Sequence, residues 1–549
     1  MDPLLIRLQN VTKTLDISVS QSILDVVDAL NDLATQCAIN QEYRHSIGQN
    51  SSLWITVRKL WTTCITVNAD PEEISAAEQT SICAGLAKFT RNLVAAEAFN
   101  QEKAFENEPD IRKMIHDYTS YHAIQDNTYY PATRLLVQAL SNIITANAAL
   151  SQRLWKTYLT LPEEQLVLLR LLSSPDHRTT FSTFILVLNC VSNSSERTQM
   201  LVESPRGPRL CISMLDRISS LIDTENDGDG AQAFNIGYEI FSNLIVKGLA
   251  PDLYAKISVD GEVVTPAQTT LLKLLDSHLY RFSQSNAPIG LGAQTTDAIV
   301  QMLSSEFFAL STYAQGAMER SLGSQSNAPS TTTAPAPGDS SRAETSEENA
   351  PTNDDTPPQE LDLLLPQVCE ALVLVAQCLT TLALDTVEGS AVAHDTRGYL
   401  CAAISSAGQG FVESLIETLR LLDLFVPRIT FGKVVPRPTP EVAQGQRTPA
   451  PQAQAPASAQ GFAFVKRDLV RLLGIISSGN KTVQDRVREC RGIPVVMNLC
   501  VIDDQNPYLK EHAIFTLRNL LHGNPENQDV VRVIQPVGRW DENGILQAL

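Results

Sequence analysis

An acidic stretch in the first half of the chain has residue types that bind calcium. Three carboxylates at alternate positions and a following glycine resemble the start of a calcium loop. These residues are Asp223, Glu225, Asp227 and Gly228. Such a loop needs a glutamate at its twelfth position, but that position is Phe234 when counted from Asp223 and Ile236 when counted from Glu225. We therefore predict that residues 223–230 form a surface loop and not a calcium site.

The other residues that could bind a metal or act as nucleophiles show no recognised spacing. His116 and His122 are six residues apart, so they do not share a helical face at metal-binding distance. The ten cysteines form no C-x-x-C pair and the seven methionines are scattered, whereas copper would need clustered sulfur ligands. The H-E-x-x-H, G-x-S-x-G and Walker motifs do not occur. We predict a protein that is not an enzyme, with no catalytic residue, metal site or cofactor.

Most of the cysteines lie within apolar segments, as Cys190 and Cys500 do. Free cysteine in such a setting behaves as a small buried hydrophobic residue. We interpret the cysteines as reduced and structural, which predicts an intracellular, cytoplasmic protein.

One group of residues near the end of the chain is suited to binding a peptide. The Asn519 amide can hydrogen-bond the backbone of an extended peptide, and Phe515, one helical turn earlier, can cover a side chain. Arg518 lies between them, and arginine is enriched at binding hot spots. Phe515, Arg518 and Asn519 are therefore candidate partner-binding residues. An alternative remains open, in which Asn519 bonds between adjacent helices and Phe515 packs in the core.

Asparagines recur inside apolar segments at similar intervals, which indicates a repeat. They are Asn92, Asn142, Asn189 and Asn243. Near the C-terminus, Gly479-Asn480 followed by Gln484-Asp485 recurs 44 residues later, beginning at Gly523-Asn524. Periods of roughly 40–47 residues with short helices are typical of armadillo and HEAT repeats, which bury their apolar faces by stacking. We predict an all-α fold, an armadillo/HEAT-like helical-repeat solenoid.

The residue four positions before each of the earlier asparagines is not aromatic. These residues are Lys88, Gln138, Ile185 and Glu239. A continuous peptide-binding ladder of the kind found in nuclear import receptors is therefore disfavoured.

Two segments interrupt the helical pattern. They contain too few large apolar side chains to offset the entropy lost on ordering, so we predict disordered insertions. The predicted organisation is helical repeats at 1–319 and 361–432, an acidic Ser/Thr/Pro insert at 320–360, a Pro/Ala/Gln insert at 433–461, and a C-terminal domain at 462–549.

The last strongly periodic segment predicts a helix over residues 506–521. Asn506 is expected to cap this helix, with Pro507 in its first turn. Its apolar face would comprise Leu509, Ala513, Leu517, Leu520 and Leu521. This register predicts that Leu517 is buried between stacked helices. Gly523 suits the left-handed residue after the helix.

Charge and hydropathy exclude two further classes of function. The chain of 549 residues has a formal net charge of −19, so it lacks the basic surface needed to bind nucleic acid. Its most apolar stretch, residues 361–384, contains Asp362 and Glu370, which favours a buried helix over membrane insertion. The N-terminus has no basic start followed by an apolar run, so we predict no signal peptide.

The segment 462–536 resembles the ataxin-10 domain, which marks the spinocerebellar ataxia type 10 protein and its fungal relatives. The most specific residues are 502–511 and Arg518-Asn519-Leu520, supported by 466–474, 480–485 and Gly492-Ile493-Pro494. The resemblance implies an armadillo-like intracellular scaffold that binds other proteins and takes part in cytokinesis and, in animals, in neuronal survival. It leaves two alternatives, a transport adaptor of the import-receptor type and an indirect role in copper homeostasis. The partner and the oligomeric state stay open.

Overall fold

The structure is a computed structural model that describes residues 2–69, 75–222, 228–283, 291–326, 362–384, 395–435, 459–533, 538–540 and 546–548. Most of both predicted inserts, residues 327–360 and 436–458, lies outside the described residues, as does residue 361. Residues 223–227 of the acidic stretch also lie outside them.

The described part of the chain is almost entirely α-helical, which confirms the predicted fold class. In chain order the helices are α1 (Pro3–Lys13), α2 (Ser20–Ile39), α3 (Gln41–Gly48), α4 (Ser51–Ala69), α5 (Ala76–Leu93), α6 (Ala98–Phe105), α7 (Glu108–Tyr118), α8 (Tyr130–Ile144), α9 (Ala148–Tyr158), α10 (Val167–Leu172), α11 (His177–Val191), α12 (Ser195–Glu203), α13 (Gly207–Leu221), α14 (Asp229–Val246), α15 (Ala250–Lys256), α16 (Pro266–Ser283), α17 (Ala293–Ser326), α18 (Leu365–Leu384), α19 (Thr396–Ala402), α20 (Phe411–Phe425), α21 (Val465–Ser477), α22 (Lys481–Glu489), α23 (Gly492–Asn498), α24 (Leu509–Leu521) and α25 (Pro525–Val533).

Two short antiparallel β-hairpins accompany these helices. The first pairs β1 (Arg428–Thr430) with β2 (Lys433–Val435), and the second pairs β3 (Gly538–Trp540) with β4 (Leu546–Ala548). The first hairpin is attached to the connection between α23 and α24, because the Asp504 amide donates to the Ile429 carbonyl at 2.7 Å.

The helices form two compact units, one built mainly from residues 1–260 and the other mainly from residues 296–549. In the N-terminal unit, one helix of each repeat packs on its counterpart in the next, in the order α2, α5, α8, α11 and α14. Two helices precede each of the last four, so that α6, α7 and α8, for example, form one repeat. We call the stacked helix the third helix of its repeat.

The C-terminal unit contains the same arrangement. Here α18, α21 and α24 pack one on the next as third helices, and α22, α23 and α24 form the last complete repeat. The core between them is apolar, with Leu372, Leu469 and Leu520 fully buried. Three-helix repeats stacked in this way are armadillo-like units, each of which buries its apolar face against the next.

The junction after most third helices has a fixed backbone geometry. One residue there has a left-handed conformation with φ between 57° and 68°, and it is Ala96, Ala146, Asn193, Gly479 or Gly523. The next residue often caps the following helix, since the side chains of Asn147, Asn480 and Asn524 each accept a backbone hydrogen bond of 3.2 Å. The predicted role of Gly523 is therefore confirmed.

Several boundaries differ from the sequence prediction. Helix α24 begins at Leu509 and not at Asn506, because Asn506 is buried before the helix, where its amide donates to Asp503 at 3.0 Å. Helix α17 continues to Ser326, six residues past the predicted start of the first insert, and β2 occupies the first three residues of the second.

Helix α18 is, within the described residues, the one helix long and apolar enough to cross a membrane. Its side chains pack instead as part of the fold, with Leu372, Val375, Ala376 and Leu379 fully buried. The prediction of a buried helix in this stretch is confirmed.

Candidate protein-binding face

The structure separates the three candidate partner-binding residues into two kinds. Phe515 is 49% exposed and Arg518 is exposed, both on the outer side of α24. Asn519 is half-buried, and its side-chain amide donates to the Gly474 carbonyl on α21 at 2.9 Å. Asn519 therefore bonds between adjacent helices, as the alternative interpretation of the sequence proposed. Phe515 does not pack in the core, which that alternative also proposed.

Three of the four asparagines of the earlier repeats make the same kind of bond. Asn92 donates to the Ala34 carbonyl at 2.9 Å, and Asn142 donates to the Arg91 carbonyl at 3.0 Å. Asn189 donates to the Ser141 hydroxyl at 2.8 Å. Each bond joins a third helix to the third helix of the preceding repeat. The recurrent asparagine thus has a structural role, because its amide donates at least one hydrogen bond within the protein.

A second recurrent bond closes the end of several third helices. A polar side chain in the next helix donates to a carbonyl seven residues before it, which satisfies an acceptor that the helix itself leaves free. The pairs are Asn100 with Leu93 at 2.9 Å, Ser151 with Ile144 at 3.1 Å, Thr198 with Val191 at 3.3 Å, Gln484 with Ser477 at 3.3 Å and Asn527 with Leu520 at 2.8 Å.

The register of α24 differs from the predicted one. Leu517 is only half-buried, and the buried position next to it belongs to Thr516, whose hydroxyl donates to the Val470 carbonyl at 2.8 Å. The buried stripe is Leu509, Ala513, Thr516 and Leu520. The prediction that Leu517 is buried was wrong, because it assumed that only apolar residues lie on the buried side of α24. Thr516 lies on that side instead, because its hydroxyl bonds to the neighbouring helix.

The exposed side of the C-terminal repeats carries aromatic and arginine side chains in two stripes. Phe464 directly precedes α21, and Arg467 and Arg471 follow it at helical spacing on that helix. Tyr508 directly precedes α24, and Phe515 and Arg518 follow it in the same way. We call these six residues the aromatic–arginine face. The Arg467 guanidinium lies 4.5 Å from the centre of the Phe464 ring, a cation–π arrangement.

Phe464 and Tyr508 were missed by sequence reasoning. They are 40% and 71% exposed, and both have a left-handed backbone, with φ of 67° and 66°. A large side chain with positive φ is an outlier, and such strain is found at functional sites. The signal was present in the repeat itself, because Phe464-Val465-Lys466 and Tyr508-Leu509-Lys510 are 44 residues apart.

Charged side chains of both signs surround His512 on this face. Burial lowers the pKa of His512 on α24, and the nearby charges of Arg471 and Arg467 lower it further, while Asp468 and Glu511 act in the opposite direction. The Asp468 carboxylate is already bound, by Arg467 in two bonds of 2.8 Å and by the Gln377 amide at 2.9 Å. The Arg467 and Asp468 charges therefore compensate each other, whereas the exposed Arg471 and Arg518 carry positive charge on this face.

The described residues contain no group of three or more histidine, cysteine, aspartate and glutamate side chains that could hold a metal ion. Asp223, Glu225 and Asp227 lie outside the described residues, whereas Phe234, where a calcium loop needs a glutamate, lies within α14. Seven of the ten cysteines are buried, as the sequence predicted for most of them. Burial raises the pKa of Cys37 and Cys369 to about 12, which keeps these thiols protonated.

Residues 465–549 match the family model of the spinocerebellar ataxia type 10 protein domain. The match includes the tail after residue 536, which the sequence resemblance left out. Ataxin-10 from Bos taurus is 39% identical over 83 residues, or 15% of this chain and 17% of the bovine protein. The ataxin-10 homologs of Dictyostelium discoideum and Kluyveromyces lactis are 41% identical over 73 residues and 43% identical over 74 residues. These matches span 12% and 14% of those two relatives, and 13% and 14% of this chain.

Solved structures with helical repeats match over most of the chain at low similarity. A chain from a structure of the phosphorylation switch between cadherin and beta-catenin has a TM-score of 0.31 and 13% identity, covering 93% of this chain and 86% of that one. SYS-1 has a TM-score of 0.34 and 10% identity, covering 96% of this chain and 95% of its own. The assignment to a family therefore depends on the C-terminal repeats, which carry the ataxin-10 domain that the sequence resemblance predicted.

Proposed function

We propose that this protein is a non-enzymatic interaction scaffold and that the aromatic–arginine face binds a protein partner. The observation that carries this proposal is the exposure of Phe464, Tyr508 and Phe515 beside arginines on one pair of stacked helices. Tyrosine and arginine side chains dominate the binding energy of protein interfaces, and the exposed rings here have no core to fill. The helices below them are held by buried hydrogen bonds, so the face is rigid before a partner arrives.

The cellular role that fits best is the control of cytokinesis in the cytoplasm. The support for it is the C-terminal domain, because the ataxin-10 resemblance implies a part in cell division. The matched segment is only a small part of the relatives' length. The role in cytokinesis is therefore a proposal for this chain, and its support is the C-terminal domain alone.

The experiment is proximity labelling in dividing cells, with the wild-type chain and two variants. Phe515→Ala combined with Arg518→Ala removes two side chains of the face. Ile514→Ala is the matched control, since Ile514 is 50% exposed on the same helix but lies outside the stripe. We expect proteins of the division site to be labelled by the wild type and the control and to be lost with the double variant. Equal labelling by all three chains would contradict the proposed face.

The same experiment distinguishes the alternative of a transport adaptor, for which nuclear-pore proteins would be labelled. That alternative needs repeated aromatic–asparagine pairs, and the positions before Asn92, Asn142 and Asn189 hold Lys88, Gln138 and Ile185. For copper homeostasis, the described residues offer no cluster of metal ligands, so an effect on copper would be indirect.

A further inference from the structure

A small cleft lies between α10 and α13 in the N-terminal unit. Each of these helices directly precedes the third helix of its repeat, and the two pack on each other. The cleft has a volume of about 260 Å³. That is the share of roughly nine molecules of liquid water, which is room for a small ion and too little for a large organic ligand. The lining residues are Leu172, Ser173, Ser213, Asp216, Arg217 and Ser220.

The polar residues that α13 contributes to the cleft occupy one side of that helix. Ser213, Asp216, Arg217 and Ser220 have the spacing i, i+3, i+4 and i+7, so their side chains are neighbours on one face. Ser173 directly follows α10 and lines the cleft with them. The cleft therefore brings a guanidinium, a carboxylate and three hydroxyl groups together.

The Arg217 guanidinium is held in position but has an unused donor. Its Nε donates to the Thr180 hydroxyl on α11 at 3.1 Å, whereas its Nη2 is buried and has no acceptor among the described residues. Burial lowers the pKa of Arg217, and the charge of Asp176 acts in the opposite direction. That carboxylate is already bound by the Thr179 amide at 3.0 Å and the Thr179 hydroxyl at 2.6 Å. A buried donor without an acceptor is rare in folded proteins, and a bound water or ion is one explanation for it.

The serine hydroxyls offer further donors beside this guanidinium. Ser213 makes no hydrogen bond within the described part of the chain. The hydroxyls of Ser173 and Ser220 donate to backbone carbonyls at 3.0 Å and 2.7 Å, and a hydroxyl can rotate towards a better acceptor. Guanidinium and hydroxyl groups together are suited to binding an oxyanion, with the guanidinium donating to two of its oxygens.

The charges around the cleft favour an anion, although the whole chain is acidic. Arg206 and Arg209 lie at the start of α13, and the single carboxylate of Glu163 is 3.7 Å from the first and 3.6 Å from the second. Two arginines therefore share one carboxylate there. Arg217 adds a further positive charge, so positive charge exceeds negative charge beside this face even when Asp216 is counted.

The Asp216 carboxylate distinguishes between oxyanions. It is exposed at the edge of the cleft, and burial raises its pKa while the charge of Arg209 lowers it. A carboxylate repels a fully ionised anion such as sulfate, but it can accept a hydrogen bond from an anion that still has a proton. Inorganic phosphate keeps at least one proton at neutral pH, whereas a phosphate monoester has lost most of its second proton.

We propose that this cleft binds inorganic phosphate as an ion that retains a proton. The Arg217 guanidinium donates to two of its oxygens and Ser213 donates to a third, while the hydroxyl group of the ion donates to Asp216. The ion also contacts Ser173 at the end of α10, so it links two successive repeats. This site lies on other helices than the aromatic–arginine face, and it does not depend on the function proposed for that face.

The test is isothermal titration calorimetry of the whole chain near neutral pH. The ligands are sodium phosphate, sodium sulfate and O-phosphoserine, compared at equal ionic strength because salt screens charges. The protein variants are Arg217→Gln, Asp216→Asn and Ser213→Ala. Ser219→Ala is the matched control for the serine, because Ser219 is exposed on α13 and does not line the cleft. Lys156→Gln, at an exposed position on α9, is the control for the lost charge.

Phosphate is expected to bind the wild type with a Kd of about 1 mM or lower, and sulfate should bind at least about tenfold more weakly. Arg217→Gln should weaken phosphate binding about tenfold or more, because it removes the two charge-assisted bonds. Ser213→Ala should weaken it by roughly two- to tenfold, the effect of one hydrogen bond. Asp216→Asn should make the affinities for phosphate and sulfate similar, and the two control variants should bind phosphate as the wild type does.

Circular dichroism shows whether each variant is folded. Asp216→Asn changes an exposed side chain, so its result does not depend on how well the Arg217 variant folds. The proposal is overturned if phosphate does not bind the wild type at about millimolar concentration, or if the wild type binds sulfate equally well. Unchanged phosphate binding by folded Arg217→Gln would also overturn it. Tighter binding of O-phosphoserine than of phosphate would do the same, because the ligand would then be a phosphate ester.

Discussion

The side-chain amide of Asn519 is 2.9 Å from the backbone carbonyl oxygen of Gly474, and this bond joins the last two third helices of the C-terminal unit. The carbonyl belongs to a glycine for a steric reason. A methyl group at position 474 would lie 2.4 Å from the Thr516 hydroxyl and 3.4 Å from the Thr516 Cα. The close approach of α24 to α21 and the hydrogen bond between them therefore depend on each other.

Replacing Asn519 should affect stability, and replacing Phe515 should affect binding. Asn519→Ala removes the interhelical bond, and we expect the free energy of unfolding of the C-terminal unit to fall by about 1 kcal/mol. Phe515→Ala truncates a half-exposed ring and should change it by less than about 0.5 kcal/mol. Urea denaturation of both variants checks this. A larger loss for Phe515→Ala would mean that this ring supports the fold.

Gly474→Ala should destabilise the same contact through crowding. The added methyl group meets Thr516 on both its side chain and its backbone, so α24 has to move as a whole. We expect a loss of about 1–3 kcal/mol. Gly323→Ala is a suitable control, since a methyl group there has nothing within 4 Å. Hydrogen exchange should show faster exchange in α24 for Gly474→Ala alone, and unchanged exchange would contradict the steric argument.

The corrected register of α24 gives a prediction that separates two leucines. Leu520 is fully buried and Leu517 is half-buried. Leu520→Ala should therefore cost about 2–5 kcal/mol through lost apolar contacts and a cavity, and Leu517→Ala should cost clearly less. In a stack of repeats the loss should appear first at the C-terminal end, as hydrogen exchange of α24 and α25. An equal loss of unfolding free energy for both variants would show that Leu517 is buried, as the sequence predicted.

An ion pair in the C-terminal unit should make stability depend on pH. The Arg486 guanidinium binds the Glu413 carboxylate at 2.8 Å and 2.5 Å and joins α22 to α20. Burial acts to raise the pKa of Glu413, but the hydrogen bonds and charge of Arg486 outweigh it, and the pKa lies below its ordinary value of 4.5. A carboxyl whose pKa is lower in the folded state stabilises the fold above its ordinary pKa, and this stabilisation is lost as the pH falls through the folded-state value.

The measurement compares the unfolding free energies of the wild type and Glu413→Gln across pH. The difference should be largest near neutral pH and should shrink below about pH 4.5, where the carboxyl of the unfolded chain takes up a proton, and it should be lost as the pH falls through the folded-state pKa of Glu413. Glu489→Gln, at an exposed position on α22, should show no such change. A difference that is the same at about pH 7 and about pH 3 would show that the pair does not contribute through its charge.

The fold class and the residues at the junctions between repeats could be predicted from the sequence. The glycine–asparagine pattern at 479–480 and 523–524 is visible in the sequence, because both junctions need a left-handed residue followed by a residue that caps the next helix. The sequence did not show which residues of α24 are buried. A buried Thr516 looks polar in the sequence, and only its bond to the Val470 carbonyl explains its place in the core.

The candidate site was predicted in part for a related reason. Phe515 and Arg518 could be found from their positions on a helix, but the role of Asn519 depended on which acceptor lies nearby. Its bond to Gly474 uses a residue 45 positions away, which no local pattern reveals. Phe464 and Tyr508 could have been found only by comparing the sequence of one repeat with that of the next.

The hydrogen bond that the following helix donates to the end of several third helices limits where this chain can change length. Asn92 and Asn100, like Asn519 and Asn527, are eight residues apart, and Asn142 and Ser151 are nine apart, whereas whole repeats differ by several residues. The difference in length therefore lies later in each repeat, in connections such as residues 119–129 between α7 and α8. A fluorophore or an affinity tag inserted there would leave the junctions intact, so this connection offers an attachment point for measuring distances within the N-terminal unit.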